Sequence, residues 1–214
     1  MRRALIIAGA LVAAGVLTWF FPLFHVVSRS SIKSAQAAAQ FQAADYVKKF
    51  WKDRLIPALG EADDAVAVLA ALRENPEQAR TEFGRTVGLG RSTLYFVSGK
   101  GTIVSVDGKA VGVSLGSAKK EPDVSISTGL LFGNTARDAT RLMDGSEFPN
   151  SQQFNEISTE LNRTIEATVL PTLKKQAKVG DAIHFVGCAE VTTLPRDISP
   201  LKVVPLQVSF DESP

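Results

Sequence analysis

The sequence has a single cysteine, Cys188, and two histidines, His25 and His184. One cysteine excludes an intrachain disulfide, and so few thiols and imidazoles give no spacing for a His/Cys metal centre or a catalytic histidine cluster. Within "IHFVGCAEV", Cys188 reads as a small buried apolar residue. An excess of one charge is also missing. The chain carries 24 Lys+Arg against 22 Asp+Glu, without the clustered cations that neutralise nucleic-acid phosphates. No Gly-rich phosphate loop is present, since "GLGRS" at 88–92 lacks both its length and its lysine. Ser92, Ser98 and Ser105 have no nucleophile elbow around them. Glu61, Asp63 and Asp64 read as a solvated helix start, not as a paired acid and base. These absences predict a protein that is not an enzyme, takes no cofactor or metal and binds no nucleic acid.

What is present is, first, a long apolar run. Arg2 and Arg3 precede an uncharged, mostly apolar stretch from Ala4 to Val27. About 20 residues suffice for a helix to cross the hydrocarbon layer. Arginines at one end only should stay cytoplasmic, which puts the C-terminal body on the far side of the membrane. The run exceeds a signal peptide's apolar core, and the small-residue triplets of "SAQAAAQ" lie beyond Arg29 and Lys33. The reading is an uncleaved signal-anchor, with the body in the periplasm of a bacterial inner membrane.

The body divides by pattern. From Ser34 to Leu59, Phe41, Ala44, Val47, Trp51 and Leu55 recur at helical spacing, and Pro57 should bend or end the helix. "EADDAVAVLAALRENPEQARTEFG" predicts a second helix with acids in its first turn. A third is capped by Asn75, with Pro76 at its first position, Gln78 at the reciprocal capping position and Gly84 as its stop. After Gly90 the period changes to two. "STLYFVSGKGTIVSVDGKAVGVSLG" is a hairpin turning at Asp107-Gly108, and "DVSISTGLLFG" is a third strand with an apolar end. Asn150 caps a long helix whose stripe is Phe154, Ile157, Leu161, Ile165 and Val169. "DAIHFVGCAEV" and "LKVVPLQVSF" supply two more strands. Three strands, a helix and two strands is the order of an OB-fold. The expected architecture is therefore α+β: residues 1–33 a cytoplasmic tip and N-terminal transmembrane helix, 34–90 a small helical region, and 91–214 an OB-like five-stranded β-barrel with a helix between strands three and four.

Five segments in this order, "ADYVKKFWKDRLIPAL", "GRTVGLGRSTLYFVSGKGTIVSVD", "GNTARDA", "FNEISTELNRTIEATVLPTL" and "VGDAIHFVGCAEV", together resemble a bacterial family of predicted periplasmic lipoproteins of unknown function. The resemblance runs from about Asp45 to Phe210. It implies a small helical part with an OB-like barrel and, through genes often lying beside those of sugar ABC transporters, a role near solute uptake. It brings no catalytic residues. The chain departs from the family at its N-terminus, where the cysteine that would be acylated is absent, and the apolar anchor can take the place of acyl chains.

One corner stands out for chemistry. In "GLLFGNTARDATRLMDG", Asn134 or Thr135 can cap a short helix whose first turn holds Arg137 and Asp138. Two readings are open. Asp138 complements the helix dipole and Arg137 reaches a neighbouring carbonyl or carboxylate, so that the pair only holds the corner. Alternatively Asn134, Thr135, Arg137 and Asp138 form a ligand or partner surface, a fork-shaped donor at a helix start being suited to carboxylates. Three functional classes follow. The first is a membrane-tethered accessory protein binding an ABC transporter or a solute-binding protein. The second is an OB-type domain binding oligosaccharide or another small ligand, with Tyr95, Phe96 and Phe185 as candidate stacking residues on the barrel. The third is an envelope hydrolase whose carboxylates converge only in three dimensions.

Overall fold

A computed structural model of the chain describes residues 41–86, 92–116 and 121–210. The apolar run at 4–27 lies outside the described residues, and among those described no helix is long and apolar enough to cross a membrane. Residues Gln42–Pro214 form one compact unit.

Helix α1, Ala43–Phe50, is followed without a break by a π-helical turn, Trp51–Leu55, and a last α-turn, Ile56–Ala58. Pro57 explains the change of winding: it has no N–H to give to the carbonyl four residues back, and the wider turn accommodates the loss. The helix thus passes through its proline before a 3₁₀ turn at Leu59–Glu61 ends it. The next acids do not sit inside a first turn, as expected, but before it. Asp63–Asp64 is a short strand, β1, and the Asp64 carboxylate accepts the Val66 and Ala67 N–H groups at the start of α2, Ala65–Glu74. Asn75 caps α3, Pro76–Glu82, by accepting the Gln78 N–H. Arg85–Thr86 form β2. The sequence showed neither short strand. Both pair with β3, Thr93–Val106: β1 in parallel at Val97 and Ser98, β2 antiparallel at Leu94 and Thr93. The Ser98 hydroxyl also donates to the Ala62 carbonyl, 3.3 Å away.

The barrel follows the expected order. β4 is Ala110–Ser114 and β5 is Val124–Ser127; β6, Ala182–Val191, and β7, Leu201–Phe210, come after the helices. The Asp107 carboxylate closes the β3–β4 turn by accepting the Lys109 and Ala110 N–H groups. The ladder runs β3-β4-β5-β7-β6 and closes because β6 also pairs along β3, from Thr93↔Val191 to Thr102↔Ala182. β5 and β7 are parallel and the other barrel pairs antiparallel. β3 must therefore bend to serve two partners, Thr102 being paired with both Ser114 and Ala182. Gly101 permits this, since a Cβ there would collide with the Ser114 carbonyl. The closed sheet buries Val97, Ile103, Val113, Ile126, Phe185 and Val203.

Between β5 and β6 the chain forms α4, Thr135–Ala139, then α5, Ser151–Thr168, capped by Asn150 as expected, and α6, Leu170–Gln176, with Pro171 in its first turn. One expectation fails here in an instructive way. "GLLF" is not the apolar end of the third strand. β5 stops at Ser127, the last residue paired with β4, and its pairing with β7 has already ended at Ile126↔Val203. Beyond Ser127 the chain pairs with neither β4 nor β7, and residues 129–134 leave the sheet as a loop, with Leu130 75% and Phe132 79% exposed.

Candidate functional site

The loop, α4 and α5 form one corner. Leu131, between the two exposed residues, is buried, and its N–H donates to Glu166 Oε1 on α5 at 2.6 Å. Gly133 has φ +80°, a left-handed backbone that suits glycine, and its carbonyl accepts Asn162 Nδ2 at 3.0 Å. The loop is thus pinned to the polar face of α5 at two points. That face carries Asn155, Ser158, Thr159, Asn162, Arg163 and Glu166, spaced three and one apart as one helical surface requires. A cleft of about 350 Å³ lies between them and the loop.

The four residues singled out in the sequence separate by depth. Asn134 lies at the start of α4, makes no side-chain capping bond and lines the cleft. Thr135 Oγ1 donates to Glu190 Oε2 on β6 at 3.1 Å. Arg137 and Asp138 are only 4% and 7% exposed. Arg137 Nε and Nη2 donate to the two Asp138 carboxylate oxygens at 2.6 and 2.9 Å, and Nη1 donates to the Phe154 carbonyl at 2.8 Å. Its guanidinium carbon lies 3.5 Å from the centre of the Phe154 ring. Phe154 in turn meets Phe148, which meets Tyr46 of α1, at centroid distances of 5.2 and 5.4 Å. Arg137 therefore spends its fork on its own neighbour and fastens α4 to α5 from beneath, while Asn134 and the loop tips face outward.

The residues that sequence reasoning missed are the loop pair Leu130 and Phe132 and the polar face of α5. The helical repeat of that face is visible in the sequence as the complement of the apolar stripe, but a polar helix face ordinarily means solvent, and only the folded loop gives it an opposite wall. The barrel stacking candidates have no free face. Tyr95, Phe96 and Phe185 are all buried, whereas Phe132 is the most exposed of the large apolar residues described. Among the described residues no group of three or more His, Cys, Asp and Glu is placed to hold a metal ion. Cys188 is fully buried on β6, its sulfur against the Ala136 carbonyl, and burial drives its thiol pKa well above the ordinary range.

A closed five-stranded barrel of OB order, preceded by a helical segment and carrying this corner between its third and fourth strands, defines an OB-type domain. Residues 11–209 match the family described as predicted periplasmic lipoprotein, DUF2291, and the chain belongs to that family, whose function is unknown. It is similar to an OB-fold protein of Thermotoga maritima known from a crystal structure, at 29% identity and a TM-score of 0.71, covering 80% of this chain and 99% of that one. No curated protein matches the chain.

Proposed function

We propose that this protein is a non-enzymatic binding protein of the periplasmic face of the inner membrane, held there by the span at residues 4–27 and acting as an accessory to an ABC-type solute transporter or its solute-binding protein. Family membership supports the compartment. The apolar run takes the place of acyl chains as the anchor, because the single cysteine of the sequence is sealed within β6.

The observation that carries the binding role is the pair Leu130 and Phe132, exposed side by side on a backbone fixed at Leu131 and Gly133. A loop free to rearrange would turn such side chains inward. Here the Leu131 N–H and the Gly133 carbonyl are both occupied by α5, so the two apolar groups stay presented to a partner. Presenting them on a preordered loop lowers the entropy lost on association.

The test is a pull-down from membranes with the full chain as bait, alongside a Leu130→Ser/Phe132→Ser variant. Transporter or solute-binding subunits should be enriched by the natural chain and depleted severalfold with the variant. Absence of those subunits from the natural chain's eluate would end the accessory reading. An alkaline phosphatase fused at the C-terminus should be active, and a silent fusion would end the topology.

A further inference from the structure

We infer that the cleft between the loop at 129–134 and helix α5 is a binding site for a neutral, hydroxyl-rich small molecule of the sugar or polyol class. The inference rests on the reading of this corner as the binding surface, and it adds the ligand.

The cleft's size, about 350 Å³, is at the lower end of the range of small-molecule sites. One of its walls holds an unmet demand. Ser158 is 4% exposed, lines the cleft, and its hydroxyl has no hydrogen-bond partner within the protein. Buried hydroxyls are normally paired, and one that is not points to something that arrives later. Around it stand the amides of Asn134 and Asn155 and the Thr159 hydroxyl, which donates to the Asn155 carbonyl and can still accept. An amide offers a donor and an acceptor in one plane, which suits neighbouring hydroxyls of a polyol.

The charges of the cleft offset one another. Arg163 is its cation, bonded through Nη1 to Glu160 Oε2 at 2.7 Å. Glu166 is its carboxylate, bonded through Oε1 to the Leu131 N–H. With one charge of each sign in its lining, the cleft favours neither an anion nor a cation. At the rim, Leu130 and Phe132 supply an apolar edge against which the C–H face of a sugar ring can pack. A turn of the Ser158 side chain toward the cleft brings its buried hydroxyl to the ligand, the amides bond hydroxyls along the side, and Phe132 covers the ring.

The test is isothermal titration of the full chain with D-glucose, D-galactose, D-ribose and maltose, with sodium phosphate and sodium glutamate as charged counterparts. Two variants accompany it, neither expected to unfold the protein: Ser158→Ala removes a hydroxyl that bonds nothing, and Phe132→Ala shortens a side chain in water. The expected result is saturable binding of at least one sugar, weakened about fivefold by each variant, the worth of one hydrogen bond or one ring contact. Sugar binding unchanged in both variants would overturn the site. Binding of phosphate or glutamate instead, lost in the variants, would overturn the ligand class. No binding of any of the six compounds would overturn the inference, while leaving the accessory reading to stand or fall on the membrane pull-down.

Discussion

Replacing Arg137 with Met keeps an unbranched, shorter apolar side chain but removes every hydrogen bond it makes. Two of those bonds go to Asp138 and one to the Phe154 carbonyl. The largest consequence falls on the partner: the Asp138 carboxylate is left 7% exposed with its cation gone. Breaking a buried pair from one side costs about 3–5 kcal/mol, and Asp138→Ala should cost a similar amount by stranding the guanidinium. The double variant Arg137→Met/Asp138→Ala strands neither charge, so its loss should be smaller than that of either single change. Urea unfolding of the full chain followed by circular dichroism reads this directly. With a slope of about 2 kcal/mol per molar urea, each single variant should lower the midpoint by about 1.5–2.5 M. Single variants within about 1 kcal/mol of the natural chain, or a double variant whose loss equals the sum of the two, would refute the closed pair and reopen Arg137 as a group available to ligands.

Gly133→Ala meets no steric obstacle, since nothing lies within 4 Å of its would-be Cβ, but it forces a side chain into φ +80°. It should cost about 1–2 kcal/mol in the same urea assay; no loss would show that the loop adopts another backbone. Asp197 is held near a pKa of about 2, chiefly by the Thr193 N–H, then by the Thr192 N–H and Arg196. Its folded pKa lies below its unfolded one, so its contribution is complete above about pH 4 and is lost as pH falls toward 2. Asp197→Asn should therefore lower Tm at pH 7 and converge with the natural chain near pH 2, and a constant difference across that window would contradict the assignment. Cys188 should resist iodoacetamide at pH 8 in the folded protein and react fully in urea, as read by mass spectrometry. Rapid labelling of the native chain would contradict its burial.

The barrel was legible in the sequence because its determinants are local. Alternation in "STLYFVSGKGTIVSV", the Asp107-Gly108 turn, and the Asn150 cap ahead of Phe154, Ile157 and Leu161 are each set by a few neighbouring residues. The two-residue strands β1 and β2 were not legible, because such short pieces have no periodicity and exist only where β3 offers unpaired backbone groups. The same logic misread "GLLF". Its apolar character resembles a buried strand end, yet strand or loop is decided by whether a neighbour pairs with it, and β5 pairs with β4 only as far as Ser127 and with β7 only as far as Ile126.

The arginine and aspartate show where sequence ends and tertiary structure begins. Their adjacency in the chain made an ion pair foreseeable, and the residue types alone equally fitted an exposed anion fork. Burial chose between the two uses of the guanidinium: the Phe154 carbonyl and ring come from α5, seventeen residues away, and their approach closes the fork from outside. By itself the sequence determined the strand order and the Asn75 and Asn150 caps, which arise from neighbours along the chain. Only the packed structure decided which polar groups are spent on one another and which, like the Ser158 hydroxyl, remain unspent beside a cleft. A hydrogen-bond donor is used up when its bond is made, and its partner is chosen by distance in space.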